Sequence, residues 1–116
     1  MLAGVAIVLS ACASAPLPPQ AELDAAQSAI SVAETANAGR FAAAELSEAR
    51  DKLSRANSAA SNKQMLAAKR LAEESRLAAE LAAARTETAK ALAINTELSK
   101  GVEALSEEMQ RAGDQR

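Results

Sequence analysis

The sequence predicts an all-α protein: a helical hairpin followed by a long third helix, a three-helix antiparallel bundle that extends into a coiled coil. Three observations lead there. Alanine supplies much of the 49% hydrophobic fraction, and alanine has the highest helix propensity, with Leu, Glu, Lys, Arg and Gln close behind. Aromatic content is 1%, from Phe41 alone, so thin helices packed closely through alanine are expected instead of a bulky core. The three prolines all fall between Pro16 and Pro19, which leaves the rest of the chain without its strongest helix breaker. The 116 residues have room for one small domain. Net charge is −2, from 13 basic and 15 acidic residues with neither sign clustered, and nothing in that balance recommends nucleic acid as a partner.

Leu2 to Leu9 carry no charged or polar side chain, which fits the apolar core of a secretion signal. The run is too short to span a bilayer, which takes about 20 residues. No Lys or Arg precedes it, so the usual basic flank is either the amino terminus itself or lies upstream. Ser10 and Ala11 are small enough to seat an extended backbone closely in a peptidase, and Cys12 follows as the only cysteine, which excludes a disulfide within the chain. Leu9-Ser10-Ala11-Cys12 resembles the lipobox of bacterial lipoproteins. That resemblance implies cleavage before Cys12, a diacylglycerol on its sulfur and a third acyl chain on the new amino terminus. Two or more chains anchor stably, because each buried methylene contributes about 0.8 kcal/mol. In such lipoproteins the following residues influence sorting, and Ala13 and Ser14 in place of an aspartate imply the outer membrane, on its periplasmic face, in a Gram-negative bacterium. Residues 1–11 are thus expected to be a signal peptide, and 12–20 the lipidated cysteine and a Pro-rich tether that favours extended backbone.

The helical domain is expected over 21–112. A first helix, at about 20–37, has Leu23, Ala26, Ile30 and Ala33 at spacings of three and four, one narrow apolar stripe with Gln27, Ser31 and Glu34 outside it. Pro19 prepares its start, and Glu22 and Asp24 sit near the positive end of its dipole. Asn37-Ala38-Gly39 is the stop, with Gly39 expected in the left-handed conformation and Phe41 folding back as a hydrophobic cap. A second helix, at about 43–60, repeats the stripe with Leu46, Ala49, Leu53, Ala56 and Ala60. Glu48 with Lys52 and Asp51 with Arg55 mark its solvated face as pairs four apart. Ser61-Asn62-Lys63-Gln64 is the expected second turn.

The third helix starts near Gln64, meets no proline and is expected to run to about Ala112, with 113–116 a disordered tail. It outruns its two partners. A heptad stripe runs through Leu77, Leu81, Ala84, Thr88, Ala91, Asn95, Leu98, Val102, Leu105, Met109 and Ala112. The candidate coiled-coil interface is its large members Leu77, Leu81, Leu98, Val102, Leu105 and Met109, and Asn95 at a core position would fix register. A break near Asn95-Thr96 or Gly101 would instead fold residues 96–112 back as a fourth short helix, but those breakers are mild.

Catalysis needs a nucleophile with its base, a metal cluster or a phosphate loop. The chain has no His, its Cys is assigned to the lipid, and its Ser and Thr lack a partner base. Adjacent acids such as Glu73-Glu74 and Glu107-Glu108 point about 100° apart on a helix and chelate poorly. No catalytic residue, cofactor, metal or small-molecule substrate is therefore expected, and the protein is read as a non-enzyme.

A lipobox, a Pro-containing tether and Ala-rich helices joined at Ala38-Gly39-Arg40-Phe41-Ala42-Ala43-Ala44-Glu45-Leu46 together resemble a family of small proteobacterial lipoproteins. The resemblance covers residues 9 to about 85. It implies a helical domain of unknown function, which in longer members often precedes an OmpA-like peptidoglycan-binding domain. Many members have a proline near Ala44, and wall binding through a second domain is not carried over to this chain. There is also a distant similarity to the alanine-rich murein lipoproteins, but Gly113-Asp114-Gln115-Arg116 lacks the terminal lysine that they join to the wall. The expected role is structural or interactive: anchored by acyl chains on Cys12, with residues 77–112 binding a second copy or another envelope protein. The alternative is an accessory subunit of an envelope export or lytic complex, docking through its C-terminal helix.

Overall fold

The computed structural model describes residues 16–116, in which four helices and no strand occur. They are α1 (Gln20–Thr35), α2 (Ala38–Phe41), α3 (Ala43–Ser61) and α4 (Met65–Asp114). Pro16 to Pro19 stay outside the helix, and the Pro19 carbonyl accepts from the Leu23 amide at 3.0 Å to open α1. α3 runs antiparallel to both α1 and α4. Ion pairs fix that register: Glu34–Arg50 ties α1 to α3, Lys52–Glu74 and Glu45–Arg85 tie α3 to α4, and Glu22–Lys69 ties α1 to α4.

The core is built mostly of methyl groups. Leu23, Ala26, Ile30 and Ala33 from α1 meet Leu46, Ala49, Leu53 and Ala56 from α3, and α4 contributes Ala72, Ala79 and Ala82. These α1 and α3 residues are the ones that the spacing selects, except at the end of α3, where Ala59 is buried and Ala60 only half-buried. Such small side chains let helix backbones approach closely. The Ser75 hydroxyl shows how closely: it donates to the Ala49 carbonyl on the neighbouring helix at 2.7 Å, although its oxygen lies only one bond beyond Cβ. The hydroxyl is buried, so this bond also removes the cost of an unpartnered polar group.

The first turn differs in detail from expectation. The left-handed residue after α1 is Asn37, at φ 72°, and among the described residues no glycine has positive φ. Asn tolerates that region better than most residues, and placing it two positions before Gly39 leaves Ala38–Phe41 free to form the extra turn α2. Phe41 is half-buried there, with the Arg40 guanidinium 5.1 Å from its ring centroid. The second turn falls at the expected residues. It closes α3 with paired bonds, Gln64 amide to Ala59 carbonyl and Lys63 amide to Ala60 carbonyl, with Lys63 at φ 60°.

α4 is a single helix of 50 residues, about 75 Å at 1.5 Å per residue, with no break at Asn95, Thr96 or Gly101. It includes Gly113 and Asp114, two residues beyond the expected end. Only its first part is covered by α1 and α3, and from Ala91 to Arg116 every residue is exposed.

Candidate functional site

α4 carries two heptad stripes on opposite sides. Ala68, Ala72, Ser75, Ala79, Ala82 and Thr86 are buried against α1 and α3. Their spacing is four, three, four, three, four. With 3.6 residues per turn, Leu77, Leu81, Ala84 and Thr88 lie roughly 180° round the helix from that face. The six large residues expected at an interface, Leu77, Leu81, Leu98, Val102, Leu105 and Met109, are all uncovered, between 46% and 68% exposed. Leu92 and Ile94, outside the predicted stripe, are also exposed and widen it beside Asn95. Past the bundle the inward side carries Lys90, Glu97, Lys100, Glu107 and Arg111 among the small Ala93 and Ala104, so the large apolar side chains stay off it. This row of large apolar side chains is left uncovered by the rest of the described chain.

Ion pairs between partly exposed side chains surround the bundle. Lys52 reaches Glu48 at 3.4 Å, the pair expected within α3, and also Glu74 on α4 at 2.8 Å. Asp51 and Arg55, the other expected pair, are 3.7 Å apart. The Lys52 ammonium pulls the Glu74 carboxyl below its ordinary value of 4.5, and Glu74 raises Lys52 above 10.5. Glu22 is lowered by a backbone N–H in the first turn of α1 and by Lys69, whose own value Glu22 raises. A lowered carboxyl contributes stability that is complete above 4.5 and is lost as pH falls through its folded value. A raised ammonium contributes stability that is complete below 10.5 and is lost as pH rises through its folded value. The melting temperature is therefore expected to be flat between about pH 6 and 9 and to fall on both sides. Circular dichroism melts across that range check it, and Glu22→Gln with Glu74→Gln should blunt the acid limb.

Among the described residues no group of three His, Cys, Asp or Glu side chains could hold a metal ion. An open furrow lies between α1 and α3 over Ile30 and Leu53, and its two charges, Glu34 and Arg50, are bonded to each other at 2.6 Å. No helix among the described residues is long and apolar enough to cross a membrane. Leu9, Ser10, Ala11 and Cys12, with the rest of the expected signal peptide, lie outside the described residues.

A family model for a domain of unknown function (DUF4398) matches residues 21–98, which is more than half of the chain. The chain belongs to this family. The match begins with α1, takes in α2 and α3, and ends at Leu98, so the DUF4398 domain is the bundle together with the first part of the projecting helix. No curated protein matches the chain, and no solved structure does.

Proposed function

We propose that this DUF4398 chain is a lipid-anchored protein of the cell envelope, held on the periplasmic face of an outer membrane, with a structural role based on binding protein and not on catalysis. The observation that carries the binding role is the uncovered apolar side of α4, which faces away from the bundle that supports it. The anchor rests on Leu9-Ser10-Ala11-Cys12 behind an apolar run and ahead of a Pro-rich tether. A non-catalytic role is supported by the absence of His from the sequence and by Thr86 and Ser75 spending their buried hydroxyls on backbone carbonyls.

Cys12→Ala tests the anchor. The wild-type protein is expected in the outer-membrane fraction with acyl chains on Cys12, and the variant in the soluble fraction. Recovery of the variant with outer membranes, or an unmodified thiol in the mature wild-type protein by mass spectrometry, would overturn this reading.

A further inference from the structure

Building on the reading of α4 as a binding face, we infer that its occupant is a second copy of this chain, paired in parallel and in register from Leu77 to Ala112 as a two-stranded, left-handed coiled coil. The first support is the placement of the two stripes. Because the seam lies opposite the bundle face, α1 and α3 of each copy sit on the outside of the pair. Among the described residues nothing covers the seam along either the bundle-backed or the projecting part of α4. A strict seven-residue repeat on a helix of 3.6 residues per turn also demands left-handed supercoiling.

Register follows from Asn95. In a parallel, in-register pair each core residue meets its own counterpart, so Asn95 meets Asn95. A carboxamide both donates and accepts, so this pairing is self-complementary. A slip of one heptad would set it against Thr88 or Val102, leaving the amide poorly partnered in a core. Leu92 and Ile94 flank that layer and shield it from water.

Charge fixes direction. Flanking positions meet across a parallel seam five residues apart, which sets Glu80 near Arg85 of the other copy and brings no two like charges together. Arg85 already binds Glu45 in its own chain, but it is 59% exposed and has donors to spare. The two antiparallel registers that keep most of the seam set Glu108 against Glu87 or against Glu80, and each clash occurs twice by symmetry. Two like-charge juxtapositions along one edge work against either one.

Single thiols in the full chain, in a Cys12→Ser background, test this. Val102→Cys and Met109→Cys are each expected to oxidise to a disulfide-linked pair at least about tenfold faster than Ala93→Cys, which lies on the side facing away from the seam. Sedimentation equilibrium should give twice the chain mass. Mixed disulfides of Leu105→Cys with Thr88→Cys or Leu81→Cys, formed in preference to the self-pairs, would overturn the parallel arrangement. The mass of three or more chains would overturn two strands, and a monomer at high micromolar concentration would overturn self-pairing altogether. Membrane recovery that still depends on Cys12 would then leave the anchored reading standing, whereas its loss with the pair intact would remove the anchor alone.

Discussion

Leu46→Ala is expected to destabilise the bundle by about 2–5 kcal/mol, out of a total of about 5–15 kcal/mol for a domain of ordinary stability. Leu46 is 2% exposed and is the bulkiest of the fully buried side chains. Its neighbours in the core are mostly alanines, which have no flexible ends with which to fill the space it would vacate. The opposite change at the facing helix should also cost stability. Ala79 is fully buried, and Ala79→Leu would push the helices apart for about 1–3 kcal/mol in spite of its added apolar surface. Urea denaturation followed by circular dichroism measures both. A loss below about 0.5 kcal/mol for Leu46→Ala would mean that the helices close over the gap, contrary to the tight packing described.

Leu98→Asp with Leu105→Asp is expected to abolish association while leaving the bundle as stable as before. Each leucine buried at a seam contributes about 1.5–3 kcal/mol, so four per pair amount to a loss on the order of ten-thousandfold or more in affinity. Neither residue touches α1 or α3, since both lie in the fully exposed part of α4. Sedimentation velocity should show single chains, and hydrogen exchange of amides in residues 20–86 should be unchanged. Retained association would move the interface to another surface, and weakened protection within the bundle would show that the two halves of α4 are not independent.

Much of this architecture was legible in the chain. Leu23, Ala26, Ile30 and Ala33 repeat at helical spacing and are the residues that α1 buries, because a helix with one apolar stripe has only one side to cover. The length of α4 followed from the absence of proline after Pro19. What was missed is the side of α4 that faces the bundle. Ala68, Ala72, Ser75, Ala79, Ala82 and Thr86 form a heptad of small residues, but the leucines of the opposite stripe give the stronger hydropathic signal. In a core of close-packed backbones, small size selects a residue for burial more than hydropathy does, and Ser75 qualifies because Ala49 offers a carbonyl. The pairs Glu34–Arg50 and Lys52–Glu74 were equally hidden, since partners on different helices leave no mark in local spacing. Gly39 misled for another reason. Asn37 two residues earlier was also able to reverse the chain, and the turn formed there.

The same helix that completes the bundle also projects beyond it by 87–114, a reach of about 42 Å with Gly101 its weakest point. It has no hinge of the kind that separates a head from a stalk. A load applied at the tip therefore passes along one unbroken backbone into the alanine contacts at the base, where four inter-helix ion pairs resist the lever. Met109 and Ser75 thus stand on one continuous helix with no joint between them.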